Sequence, residues 1–169
     1  MLLHEFDPNP AAMINPSDNH SPIPGCPKVA VSCFERHTFQ QMVEHMEVEE
    51  IGRASCATIE IPLYRAQYQG KEVALFQSYV GASACVGMME DFFAFGVEKV
   101  VLYGSCGVLD KSIASGGIIV PTSALRDEGT SFHYAPPGDE IAVNPKHREA
   151  FAQILAAHGC TWTEGKVWT

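Results

Sequence analysis

Charge is scarce in this sequence, and positive charge scarcest. Only 18% of its 169 residues are charged, with Lys+Arg 11 against Asp+Glu 20 and a net charge of −9. Such a surface repels phosphate backbones, which excludes general nucleic-acid binding. No apolar run approaches the roughly 18 residues that span a bilayer, and Met1–Pro10 lacks the basic start and apolar stretch of a signal peptide. A soluble cytoplasmic chain with no membrane partner is expected. The six cysteines, Cys26, Cys33, Cys56, Cys85, Cys106 and Cys160, contain no C-x-x-C pair, so neither a zinc site nor a thioredoxin-type motif is written. Without a secretion signal, they read as small buried hydrophobes rather than as a disulfide framework. His37 and His45 could share a helix face, but no carboxylate stands in register with them, and no metal site is expected. Internal repeats and low-complexity tracts are missing too. What is present is 46% apolar residues, too many for a disordered chain, and a length that suits one domain at roughly 150 residues each.

Residues 1–27 carry Pro8, Pro10, Pro16, Pro22, Pro24 and Pro27. Proline removes ladder donors and blocks helix interiors, so this stretch reads as an irregular arm laid over the surface or over a partner subunit. The domain proper is expected over 28–169. Lys28–Ser32 is a short strand, and Phe34–Met46 carries a helical spacing of apolar residues. Ala57–Tyr68 and Glu72–Val80 flank the turn Gln69-Gly70-Lys71 and form a hairpin. Gly81-Ala82-Ser83-Ala84 opens a helix that runs to Phe95, with Gly96 as its left-handed cap. Lys99–Tyr103 is then a strand that breaks at Gly104-Ser105-Cys106-Gly107. Strand, helix and strand over such a length make a βαβ unit with parallel strands. Ile118–Pro121 is another strand, and Arg126–Asp139 a polar loop. Asn144-Pro145 caps a helix that presents Phe151, Ile154, Leu155 and His158 on one face and stops at Gly159. Trp162–Trp168 is a final strand with no covering helix after it, the mark of an incomplete sheet in a shortened domain. The fold class is α/β with a central mixed, largely parallel sheet.

In open α/β sheets, ligands bind beyond the carboxyl ends of the strands. That rule selects Ser32–Arg36, Gly81–Ser83 and Gly104–Gly107. Glycines let a ligand approach the backbone, and their N–H groups cradle anions. Ser32, Ser83 and Ser105 add hydroxyls, and Arg36 adds a planar fork suited to phosphate. Singly, each spot is equally a tight turn or a solvated charge. Together they predict an oxyanion cradle on one sheet edge.

The stretches Gly96–Leu109 (GVEKVVLYGSCGVL), Gly116–Pro121 (GGIIVP) and Arg126–Tyr134 (RDEGTSFHY) resemble the purine nucleoside and uridine phosphorylase family, with the last closer to uridine-phosphorylase-like members. The similarity runs from about Lys28 to Thr169. It implies a three-layer α/β/α fold, dimers that assemble into hexamers, and reversible cleavage of a nucleoside by inorganic phosphate, without a cofactor. It also implies phosphate ligands at Ser32, Arg36, Gly104 and Ser105, a ribose and phosphate turn at Gly81 and Ser83, and a nucleoside vicinity at Cys106 and Gly107. Glu90 matches a helix glutamate read as structural. In the family's first phosphate loop, the glycine has become Ser32 while the arginine survives as Arg36. The position of a second phosphate arginine holds Leu102. A third, lent by a neighbouring subunit, falls on Ile59, with Arg53 and Arg65 as conceivable substitutes. The Met-Glu ribose motif and the base-protonating acid of the family lie beyond Thr169, so no catalytic residue is assigned.

Each lost charged partner costs roughly 1.5–3 kcal/mol, or tenfold to a hundredfold in phosphate affinity. Water can then replace phosphate, which makes a nucleosidase the first alternative. A non-catalytic nucleoside-binding or oligomerisation module is the second. Val80-Gly81-Ala82-Ser83-Ala84-Cys85 also looks like a nucleophile elbow, but Cys85 stands where the motif needs glycine and no His and acid pair is identifiable. Arg126, Asp127, Glu128 and His133 either line a site or form a salt-bridged surface or subunit contact, and the surface is the favoured reading. His4 could reach a neighbouring site. The nucleobase is not legible.

Overall fold

The computed structural model describes residues 5–113 and 116–168. The chain forms two compact units, Pro10–Cys106 and Gly107–Thr169 with Met1–Asn9. His4 lies outside the described residues.

The first unit is built on a five-stranded mixed sheet in the order β2-β3-β4-β1-β5. Its strands are β1 (Val29–Cys33), β2 (Val48–Ser55), β3 (Glu60–Tyr68), β4 (Lys71–Gln77) and β5 (Lys99–Tyr103). The expected hairpin is there. β3 and β4 pair antiparallel across a two-residue turn in which Gln69 (φ 49°) and Gly70 (φ 74°) both take left-handed conformations. β1 lies between β4 and β5 and is parallel to both, as the βαβ reading requires. β2 is an element the pattern did not announce. It pairs antiparallel with β3 at the sheet margin, with Glu49, Glu50 and Arg53 on its exposed positions.

The sheet separates two cores because side chains alternate along a strand. Ala30, Ala74, Phe76, Ile61 and Leu63 point to one face, where helix α3 (Ala82–Phe95) covers them with Phe92 and Phe95. Cys33, Leu75 and Ala66 point to the other, where helix α2 (Arg36–His45) supplies Phe39 with Met42 and Val43 beside it. Helix, sheet and helix are the three layers of an α/β/α sandwich. Phe76 and Phe92 meet with ring centroids 4.2 Å apart, joining sheet to helix. Helix α3 ends on Gly96 in the left-handed region (φ 119°), as its sequence predicts. Cys26, Cys33 and Cys85 are buried as expected, whereas Cys56 and Cys106 are exposed.

The proline-rich arm is more ordered than its composition predicts. It holds a one-turn helix α1 (Pro16–Asn19), whose entry is fixed by the Asn15 N–H donating to the Asp18 carboxylate at 2.7 Å. Beyond it, His20 pairs with Asp91 at 3.1 Å, and the Ile23 N–H donates to the Phe95 carbonyl at 2.9 Å. The Arg65 guanidinium donates to the Gly25 carbonyl at 3.0 Å. From Pro10 onward the arm is therefore part of its own unit's surface.

The second unit carries a three-stranded sheet, β7 (Glu140–Ala142), β6 (Ile118–Leu125) and β8 (Trp162–Trp168), in the order β7-β6-β8, with helix α4 (Pro145–Ala157). β6 runs past Pro121, where the sequence reading stopped it. A register shift between Pro121 and Ser123 in its pairing with β8 absorbs the missing donor. α4 starts on the predicted cap, with the Asn144 side chain accepting from the Lys146 N–H at 3.0 Å. None of its residues is buried.

Candidate functional site

The three spots selected from the sequence follow three strands that lie side by side. In the parallel register, Cys33 at the end of β1 is level with Gln77 at the end of β4 and with Tyr103 at the end of β5. Adjacent strands are about 4.8 Å apart. Phe34–Arg36, the 79–83 turn and Gly104-Ser105 thus leave the same edge of the sheet. Backbone bonds bind the three exits together. The Phe34 N–H donates to the Tyr103 carbonyl at 3.2 Å, and the Ser78 N–H to the Cys33 carbonyl at 3.0 Å.

Arg36, Gly81, Ser83, Gly104, Ser105, Cys106 and Gly107 are all exposed. Arg36 opens helix α2, whose cap is Glu35. The Glu35 carboxylate accepts from the His37 and Thr38 N–H groups at 2.9 and 2.5 Å. Its bonds with Thr38, then the one with His37, hold its pKa down at about 2. A fixed negative charge therefore caps the helix that Arg36 opens. Gly81 caps helix α3 at φ 111°, a conformation open to glycine and strained for any other residue. At Gly104 the need is space. A Cβ there would lie 3.1 Å from the Phe34 ring and 3.3 Å from the Phe34 Cβ.

Ser32 is placed differently from the other expected ligands. It lies inside β1, wholly buried, and its hydroxyl bonds with that of Ser78 at 2.6 Å. No solvent-borne anion reaches it in this arrangement. Ser78 itself, buried at the end of β4, went unnoticed in the sequence; only a serine just before the turn could have drawn attention to it. Tyr103 was likewise missed. Its hydroxyl donates to the Met42 sulfur at 2.9 Å, and burial, then a bond with the Cys33 thiol, raise its pKa well above the usual phenol range.

The positions that would hold further arginines carry none. Leu102 is 40% exposed on β5, and Ile59 packs against the α3-side core. Arg53 is held by Glu50 and Glu60 at 2.7 and 3.0 Å, and Arg65 by Glu49 at 2.9 Å. A shallow hollow of about 140 Å³ is lined by Phe39, Gln40, Val43, Glu44 and Tyr64 and includes none of the expected ligands.

In the second unit, Arg126 is buried at 9% exposure and serves its own loop. It donates to Ser131 Oγ at 3.0 Å and to the Pro136 and Ala135 carbonyls at 2.5 and 3.2 Å, and it stacks over the Phe132 ring at 4.1 Å. Glu128 accepts from the Ser131 N–H at 3.0 Å, and bonds with Ser131 and Thr130 lower its pKa although burial works against them. The expected salt-bridged surface is instead a loop stapled by carbonyls and a hydroxyl. His133 closes a 3-10 turn and is exposed. Among the described residues, no group of three His, Cys, Asp or Glu stands close enough to hold a metal ion, and no helix is long and apolar enough to cross a membrane.

The model of the phosphorylase superfamily matches residues 28–169. The chain belongs to the phosphorylase superfamily. Curated relatives agree. The guanosine phosphorylase of Halorubrum lacusprofundi is 29% identical over 75 residues, 44% of this chain and 31% of that protein. The uridine phosphorylase of Escherichia coli is 27% identical over 77 residues, 46% of this chain and 30% of that protein. The aligned stretch thus spans about a third of each relative's own length. Among solved structures, the uridine phosphorylase of Vibrio fischeri superposes with a TM-score of 0.74 at 21% identity, over 94% of this chain and 65% of that one. The purine nucleoside phosphorylase of Toxoplasma gondii, solved with immucillin-H, gives 0.69 at 16%, over 85% of this chain and 57% of that one. These superpositions confirm the α/β fold of the superfamily.

Proposed function

We propose that the chain carries the phosphate side of a nucleoside phosphorylase site, which cleaves the N-glycosidic bond of a ribonucleoside, pyrimidine by resemblance, with inorganic phosphate as acceptor. The observation that supports this most is the common edge formed by the ends of β4, β1 and β5. Arg36 and the Gly104-Ser105 turn leave that edge from adjacent strands, and the Gly81–Ser83 turn flanks them. The protein's task is electrostatic positioning. It holds phosphate against the anomeric carbon while positive charge grows on the ribose and the base departs. The oxygen of phosphate bonds to the anomeric carbon as the bond to the base nitrogen breaks, and the base leaves with that electron pair. No cofactor enters this scheme. By the family resemblance, the protein is read as a homo-oligomer of the cytoplasm.

Calorimetric titration of inorganic phosphate tests the reading. Arg36→Ala is expected to weaken phosphate binding about tenfold to a hundredfold, the worth of one charged hydrogen bond. An unchanged affinity would remove Arg36 from the site, and no phosphate binding by the unaltered chain would remove the site itself. Leu102 and Ile59 in place of arginines favour a second reading, a nucleosidase in which water is the acceptor. Free ribose rather than ribose 1-phosphate among the products identifies that case.

A further inference from the structure

Two loops of the candidate edge are joined underneath by a chain of buried groups. Ser32 is wholly buried and Ser78 is 4% exposed, and their hydroxyl oxygens are 2.6 Å apart. The Ser78 N–H holds the Cys33 carbonyl, the last of β1. Along the chain, Ser78 follows β4 directly and leads into the 79–83 turn and Gly81, the cap of α3. Cys85 donates its backbone N–H to the Gly81 carbonyl at 2.9 Å. The path therefore runs from β1, which leads into Phe34–Arg36, through the Ser32–Ser78 pair to the 79–83 turn and Gly81 at the head of the opposite helix. It crosses the sheet edge where α2 and α3 begin on opposite faces.

Surface chemistry does not explain these hydroxyls. Two valines or alanines would fill such an interior without a polar group to satisfy, whereas a buried hydroxyl that loses its partner costs its full desolvation. A paired network of this kind fixes geometry more than it adds stability.

We propose that Ser78 and Ser32 are positioning residues, which couple the Phe34–Arg36 loop to the 79–83 turn so that the two halves of the cradle hold one arrangement. The coupling itself stands on the bonds above; its use in binding phosphate rests on the function proposed for this edge.

Amide hydrogen exchange of the 169-residue chain separates the two claims. The reporters are Phe34 and Phe39 on the α2 side and Cys85 on the α3 side, each with a backbone hydrogen bond. Ser78→Ala and Ser32→Ala are each expected to speed exchange at least tenfold on both sides, and the double variant to add little to either. Ser78→Thr keeps a hydroxyl and is expected to restore slow exchange. The coupling is overturned if Ser78→Ala speeds exchange only in 78–85 and Ser32→Ala only in 32–39, or if both variants merely lower the melting temperature. Phosphate titration is the second arm. A chain that binds no phosphate but shows exchange coupled across both loops refutes the proposed function and leaves the positioning pair standing. A chain that binds phosphate with the same affinity in Ser78→Ala, its loops uncoupled, refutes the pair alone.

Discussion

Glu35 shows how much one residue decides at the candidate edge. It caps α2 with a carboxylate, a charge of the sign that the helix N-terminus favours and that any incoming phosphate would share. Its pKa falls from 4.5 to about 2 on folding, through the bonds with Thr38 and then His37. A carboxylate with a lowered folded pKa stabilises the fold above its unfolded value, and that contribution fades as pH falls through the folded one. The stability difference between the unaltered chain and Glu35→Gln is therefore expected to be full above pH 4.5 and to shrink down to about 2. Urea midpoints across that window measure it, and a constant difference would refute the cap's role in acid unfolding. On the function proposed for this edge, Arg36 is the charged group left to attract an anion, because Leu102 contributes only an apolar side chain, 40% exposed.

Among the elements, the arm and β2 meet at a point with no spare room. A Cβ on Gly52 would come 2.5 Å from the Ile23 Cδ1 atom, and Gly52 also adjoins the register shift in β2. Gly52→Ala is expected to cost about 1 kcal/mol, the low end of overpacking, because the clash is with the terminal methyl of Ile23, which can turn aside. Adding Ile23→Ala should recover part of that loss, since the two changes share one contact. Urea midpoints of the single and double variants test it, and simple additivity would show that Ile23 is not the obstacle. This contact was invisible in the sequence, because it joins an irregular stretch to a strand whose charges mask its pattern. Val48–Ser55 alternates poorly, and Glu49, Glu50 and Arg53 fill its exposed positions. The β3–β4 hairpin, helix α3 with its Gly96 cap, and β5 were legible because turn residues and apolar spacing agree there. The candidate edge was legible for the same reason, as glycines and serines follow predicted strands. Ser32 was not, since which way a strand residue points depends on register, and register depends on a partner far away in the chain. Pro121 misled in the opposite direction, because a shifted ladder tolerates what an even one excludes.

At the scale of the molecule, burial is uneven. Among the described residues, every buried apolar side chain except Val120 belongs to Pro10–Cys106. Apolar burial is the main source of stability, so the second unit should open more readily. Native-state hydrogen exchange is expected to release the α4 amides, whose helix buries no residue, well before those of α3, which buries Cys85, Phe92 and Phe95. Equal protection in the two helices would contradict this ranking. The position of β1 has a further consequence. Its two ladder partners come from remote stretches, Ala30 pairing with both Ala74 and Val100, while β2, β3 and β4 follow one another as a local meander. Chain closure makes distant pairings slow and neighbouring ones quick. The meander can zip early, yet the three strand exits come level only once β1 has threaded between β4 and β5, so a folding chain acquires the edge proposed to hold phosphate at the closing step.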